Sequence, residues 1–283
     1  MRHARDPRGV AGLSPQQALT EASSLRRLTT GRIATLTLDA PHSRNALSLA
    51  MMDALGSELR AIAGDAAIAC VVIAAVGPVF CAGHDLREIA AARAGPDGGA
   101  VFFSTLMARC SALMQAIVEL PQPVIAAVEG LATAAGCQLV AACDLAVAGE
   151  GAQFCTPGVD IGLFCSTPGV ALARNVSRKH AMEMLLTGAR IDAETALRFG
   201  LVNRVAAAGG ALPEALRFAG EIAGKSAQAI GFGKKAFYRQ LGMALPEAYE
   251  LAGRTMVENL LATDAKEGIA AFLEKRSPHW MGT

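Results

Sequence analysis

Residues 80–86 read Phe80-Cys81-Ala82-Gly83-His84-Asp85-Leu86, and they join an apolar run at 68–76 (IACVVIAAV) to a helical segment that starts near Leu86. The run has the length and the Val/Ile content of a buried strand. A loop of small residues between strand and helix leaves backbone N–H groups free to point at an oxygen anion. Gly83 permits a turn that a larger residue resists. Many α/β loops share this outline, so the stretch gains its meaning from a second one. Residues 123–128 (PVIAAV) give another buried-strand pattern and Glu129-Gly130 turns the chain. Leu131-Ala132-Thr133-Ala134-Ala135-Gly136-Cys137-Gln138 follows as the small-residue start of a helix. Helix N-termini carry unpaired donors and partial positive charge. One donor from each loop would make an oxyanion hole.

Outward from these loops, strand and helix signals alternate. Residues 32–38 (RIATLTL) alternate as a strand does, and 48–63 begin with a capping serine and carry Leu49, Met52, Leu55, Leu59 and Ile62 at helical spacing. Gly95-Pro96-Asp97-Gly98-Gly99 is a flexible break before a helix over 101–118. Strand signals return at 144–148 and 152–155. The alternation predicts an α/β core. Beyond Lys179 the chain reads as helical, over 181–187, 193–199, 213–224, 226–241 and 245–261. The expected organisation is an N-terminal extension at 1–25, an α/β core at 26–200 and a helical region at 201–283.

The totals exclude several classes. With 283 residues, 52% apolar and 18% charged, the chain can bury a large core and is not disordered. A net charge of +1 and few aromatics leave no case for nucleic acid as partner. Seven cysteines, an odd number with no CxxC pair, fit buried thiols in a reducing compartment. Five scattered histidines define no metal site. The apolar region 120–149 is punctuated by Pro121, Pro123, Glu129, Gly130 and Asp144, so it reads as core and not as a membrane span. The Arg-rich N-terminus lacks the apolar stretch of a secretory signal. A cytoplasmic protein of bacterial type is the expectation, with the mitochondrial matrix as alternative.

Several segments now fall into one order: Asn45-Ala46-Leu47, FCAGHDL at 80–86, PVIAAVEG at 123–130, AAGCQLVAACDLAVA at 134–148, FCTPGVDIGL at 154–163, residues 181–205 and EGIAAFLEKR at 267–276. In this order the chain resembles the crotonase family, the enoyl-CoA hydratase/isomerase group, over roughly residues 26 to 276. The resemblance implies a spiral of ββα units with a C-terminal helical trimerisation region. By analogy with the family the assembly is a homotrimer or a dimer of trimers. It implies no cofactor beyond a coenzyme A thioester bound as substrate or ligand.

By the same resemblance, the backbone N–H groups of His84 and Ala135 are the two oxyanion donors. The His84 side chain reads as a solvated or hydrogen-bonded bystander, although its titration range permits an acid role. Hydration of an enoyl thioester also needs proton-transferring carboxylates. The family's two glutamates fall at Gln138 and Gly158, and a third position used by some isomerases falls near Ser166. An amide orients water but does not carry a proton near neutral pH, and glycine offers no side chain. Each proton-transfer role is worth roughly 10²–10⁴ in rate, so weak hydratase activity or a different reaction is expected. Asp160 reads as a structural loop aspartate, and Cys165 as pocket lining without a base to activate it. For coenzyme A, the resemblance points to His42, Arg44 and Ala46, to Ala82, Asp85, Leu86 and Arg87, and to Phe272 and Lys275 at the nucleotide end. An acyl-CoA enzyme, with decarboxylation as one possible reaction, stands beside two alternatives: a CoA-ester-binding regulatory protein and a scaffold that uses only the assembly.

Overall fold

A computed structural model describes residues 24–282. Most of the expected N-terminal extension lies outside the described residues. β1 (Leu25–Thr30) and β2 (Ile33–Leu38) pair antiparallel around Gly31. α1 (Leu49–Ala63) starts at Ser48, whose Oγ accepts the Met51 N–H at 3.2 Å. It buries Met51, Met52, Leu55, Leu59 and Ile62, close to the expected face.

Three ββα turns follow. The first is β3 (Cys70–Ala75), β4 (Val79–Cys81) and α2 (Leu86–Arg93), extended by α3 (Ala100–Glu119). The second is β5 (Val124–Val128), β6 (Leu131–Thr133) and α4 (Ala135–Ala142). The third is β7 (Leu145–Gly149), β8 (Gln153–Cys155), a 3-10 turn (Pro157–Ile161) and α5 (Ser166–Asn175). Each turn sends its first strand into a parallel sheet and its second into another, so the expected spiral is present. After α6 (Arg178–Thr187), β9 (Ile191–Asp192) and α7 (Ala193–Phe199), β10 (Arg204–Ala206) pairs with β7. The six-stranded sheet has the order β1-β2-β3-β5-β7-β10 and the four-stranded one β4-β6-β8-β9.

α8 (Ala211–Ala223) lies on β3, β5 and β7 through Ala211, Ala215 and Ala219. The helical region expected from 201 thus begins with a strand, β10, and a helix, α8, that both pack on the six-stranded sheet. Short strands such as β4, β6 and β9 escape detection because two or three residues carry no period. β1 escapes because five of its six residues are exposed. The 120–149 region resolves into strands and one short helix. Among the described residues one helix, Ala100–Glu119, is long and apolar enough to cross a membrane by length and composition. Here it packs Leu106, Cys110, Leu113, Met114 and Ile117 into the core. Burial of each such side chain contributes about 1.5–3 kcal/mol.

α9 (Ala227–Gln240), α10 (Leu245–Leu261) and α11 (Thr263–Glu274) form a C-terminal arm. The arm is fastened to the core by Lys234. Its Nζ donates to Asp144 Oδ2 at 2.7 Å and to the carbonyls of Ile117 and Gln122 at 3.0 and 3.1 Å. Asp144 also accepts the Val124 N–H at 2.7 Å and the Tyr238 hydroxyl at 2.9 Å.

Candidate active site

The small residues of 82–84 and 133–136 bring two chain bends together. A Cβ at Gly83 would lie 3.0 Å from Ala134 Cβ and 3.1 Å from Ala135 N, and φ there is +81°. Only glycine fits this approach. The Leu47 N–H donates to Gly83 O at 2.7 Å, in a parallel bridge between Leu47 and His84. In such a bridge the His84 N–H points to the opposite side. Ala135 is the first residue of α4, where an N–H has no partner within its helix. Neither N–H donates to any group outside its own element among the described residues.

Both bends open on one cavity of about 930 Å³, within the range of a small-molecule site. His84, Ala134 and Ala135 lie on its wall, with Ile89 of α2, Phe103, Leu106 and Met107 of α3, and Leu163, Phe164 and Cys165 beside them. The mouth carries His42, Arg44 and Arg87. Asn45 holds this wall in place. Its Oδ1 accepts the Ala40 N–H at 2.8 Å, and its Nδ2 donates to Val76 O at 2.9 Å and Val79 O at 2.7 Å. Asn45 is fully buried, and it and Arg44 both take left-handed backbone angles. The clamp was legible only as part of a motif, because a loop asparagine gives no periodic signal.

Ala134 has φ +51° and ψ −119°, a region that suits glycine and strains alanine by about 1–3 kcal/mol. The Ala134 N–H donates to Cys155 O at 2.9 Å, and Ala134 O accepts the Gln138 N–H at 3.0 Å. These bonds hold the residue there. Ala134→Gly is expected to stabilise the fold by about 1 kcal/mol, after the added freedom of the unfolded chain is subtracted. The check is a urea midpoint, and a lower midpoint in the variant contradicts the strain.

The sequence model for "Enoyl-CoA hydratase/isomerase" matches residues 29–283. Human mitochondrial enoyl-CoA hydratase domain-containing protein 3 is 47% identical over 98% of this chain and 88% of its own length. The chain belongs to the crotonase family. A crystal structure of that human protein superposes with a TM-score of 0.86 at 46% identity, covering 91% of this chain and all of the other. A crystal structure of an enoyl-CoA hydratase from Mycobacterium smegmatis gives 0.86 at 49% identity, over 91% of this chain and 98% of its own.

Most of the residues picked out by resemblance to crotonases meet at this one cavity. His42, Arg44, Ala46, Ala82, His84, Asp85, Leu86, Arg87, Ala135, Gly158 and Ser166 all line it. Asp85 caps α2, accepting the Arg87 N–H at 2.9 Å, and pairs with the Arg87 guanidinium at 2.8 Å. That hydrogen bond to Arg87 holds the Asp85 carboxyl below its ordinary range. Ser166 opens α5 with its hydroxyl directed at Phe164 O at 3.4 Å.

Gln138 and Asp160 depart from expectation, and Phe272 and Lys275 lie away from the cavity of their own chain. Gln138 does not line the cavity: it is buried in α4, where its Oε1 accepts from the Cys110 thiol of α3 at 3.8 Å. Every residue of α4 is buried, so the helix has no polar face to turn Gln138 toward solvent. Phe272 and Lys275 are also absent from the cavity of their own chain. They end α11, which packs on α9 and α10, and Phe272 is 83% exposed. Asp160 does not hold its loop: it sits exposed at the cavity rim on the 3-10 turn, and its carboxylate makes no hydrogen bond among the described residues.

Gly158 is closed in as well as bare. A Cβ there would lie 2.8 Å from Leu163 O and 2.9 Å from Cys165 Sγ. Burial raises the Cys165 thiol pKa, so it is no ready nucleophile. All seven cysteines are free and buried. Among the described residues no group of three or more His, Cys, Asp or Glu is placed to hold a metal.

Burial pushes the His84 imidazole below its ordinary pKa. The unfolded chain then binds a proton near pH 6.5 that the folded chain refuses. The contribution to stability is complete above that pH and shrinks as pH falls through the window beneath it. Denaturant midpoints at pH 7 and 5 should therefore fall further for the parent than for His84→Gln. Equal falls would show that His84 does not titrate on unfolding.

Proposed function

We propose that this crotonase-family protein binds acyl-CoA thioesters and stabilises the oxyanion or enolate formed at the thioester carbonyl, with only weak enoyl-CoA hydratase turnover. The observation that carries this reading is the pair of free N–H groups, from His84 and Ala135, at two bends packed against each other on one cavity wall. Donors fixed in advance toward developing charge are commonly the largest catalytic contribution. The cavity's cationic mouth, at His42, Arg44 and Arg87, suits the phosphates of coenzyme A, and its apolar wall suits an acyl chain.

The weakness of hydration follows from Gln138 and Gly158. The first faces Cys110 and the second has no room for a side chain. Decarboxylation of a malonyl-type thioester is a second reading favoured by the same residues, because it forms an enolate without a base. Calorimetry with coenzyme A and crotonyl-CoA, followed by mass spectrometry of products from an acyl-CoA and malonyl-CoA panel, tests both. Absence of binding removes the thioester reading. Binding without product leaves a regulatory CoA-ester protein, and hydration of crotonyl-CoA within about tenfold of a two-glutamate relative refutes the weak-hydratase reading. The Gln138→Glu, Gly158→Glu double variant is expected to gain no hydratase activity, since the new Cβ strikes Leu163 and Cys165.

The arm supplies the basis for assembly. Leu245, Tyr249, Met256, Val257, Leu261 and Phe272 are exposed apolar residues on α10 and α11. A homotrimer or dimer of trimers would cover them. It would also let Phe272 and Lys275 reach a neighbouring subunit's site. The human relative is named mitochondrial and the Mycobacterium smegmatis structure is bacterial, so both the matrix and the bacterial cytoplasm fit.

A further inference from the structure

The Asn45 side chain is spent entirely on backbone groups from two places in the chain. Its Oδ1 takes the N–H of Ala40, which opens the 3-10 turn Pro41–Ser43 at the cavity mouth. Its Nδ2 gives one hydrogen to the Val76 carbonyl and one to the Val79 carbonyl. Those two residues bracket Gly77-Pro78, the turn between β3 and β4. A carboxamide supplies an acceptor and two donors from one short side chain. Ionised aspartate lacks the donors and leucine lacks all three.

The groups that Asn45 holds lead to both bends. On one side, the Ala82 N–H donates to Arg44 O at 3.1 Å and the Leu47 N–H to Gly83 O at 2.7 Å. These two bonds flank Asn45 in the chain and grip the loop that carries the His84 N–H. Arg44 and Asn45 have φ +55° and +51°, and such strain persists only where the surroundings over-determine it. On the other side, the Gly77-Pro78 turn reaches the second bend. A Cβ at Gly130 would overlap Pro78 O, so Pro78 rests directly on the turn into β6. β6 ends at Thr133, just before Ala134 and Ala135. Among the described residues, no other side chain from outside the segment hydrogen-bonds to residues 76–84.

We propose that Asn45 is a positioning residue for the oxyanion hole: its amide ties the cavity mouth to the turn that aligns the His84 and Ala135 N–H groups. This assignment rests on the thioester reading above. Two donors polarise a carbonyl strongly only while they converge on its oxygen. A slack turn therefore leaves the ligand bound and its carbonyl unpolarised. Asn45 itself does not line the cavity, so replacing it takes no direct contact from the ligand.

The test is isotope-edited infrared spectroscopy of butyryl-CoA labelled with carbon-13 at the carbonyl, with affinity measured separately by calorimetry. Hydrogen bonds to the oxygen weaken the carbonyl bond, so in the parent the bound carbonyl should absorb below the free one. Asn45→Ala removes all three side-chain bonds, and Asn45→Ser keeps one shorter polar group. Each variant should bind butyryl-CoA within about tenfold of the parent and lose most of the downward shift. A residue that only stabilises the fold would lower the melting temperature and leave the bound carbonyl at the parental frequency. That result overturns the assignment. Failure of both variants to fold also overturns it, because Asn45 would then be a requirement of the fold itself. Loss of binding in a folded variant counts against it too. Binding by the parent without a shift removes the oxyanion hole, and no binding removes the thioester reading; the assignment falls with either.

Discussion

Gly136→Ala is expected to lower the melting temperature by roughly 8 °C and to abolish action on any acyl-CoA that the parent turns over. Gly136 is the second residue of α4, and a Cβ there would sit 2.2 Å from Cys81 O and 2.8 Å from Cys81 C. Cys81 ends β4 and has no exposed surface, so the overlap is with backbone that cannot swing aside. Either α4 retreats from β4 or the strand bends. Overpacking of this kind costs on the order of 4 kcal/mol when backbone must move. Both movements also displace the Ala135 N–H from the His84 N–H, since Ala135 and Cys81 flank the two bends. Calorimetric melting and acyl-CoA titration of the variant check the two effects. A melting temperature within about 2 °C of the parent would show that α4 and β4 are not in this contact.

Asp144→Ala should destabilise the protein by about 3–5 kcal/mol, the usual cost of breaking a buried ion pair from one side. Three donors lose their acceptor at once: the Lys234 ammonium, the Tyr238 hydroxyl and the Val124 N–H. The Lys234 side chain is only 6% exposed, and burial already lowers its pKa against the opposing pull of Asp144. Without the carboxylate, Lys234 keeps two carbonyls but no counter-charge. Adding Lys234→Met to Asp144→Ala removes the stranded cation and should recover part of the loss. The coupling is read from urea midpoints of both single variants and the double. Strict additivity would mean that the two residues do not act as a pair.

Residues 123–128 were legible as β5 because an apolar run between Pro121 and Glu129-Gly130 admits few other conformations. The cavity wall at Gly83, His84 and Ala135 was legible because small residues between strand and helix leave few ways to turn. The direction of Gln138 was not, since a helix buried on all sides has no amphipathic stripe to orient it. Closure around Gly158 was hidden for another reason. It comes from a turn five to seven residues onward, whose course depends on tertiary packing. Lys234 reads as a solvated charge on an amphipathic helix, and its partner Asp144 lies 90 residues away in the chain. Sequence spacing carries no trace of that pairing.

The crowding at Gly158 has a bearing on how this lineage could change. Putting an acidic side chain there meets steric resistance before it offers any chemical benefit, so selection for hydration would penalise the first step. The Leu163–Cys165 turn would have to move earlier, by changes that bring no catalytic reward of their own. Gain of a carboxylate at this position is therefore gated by the order in which the two changes occur.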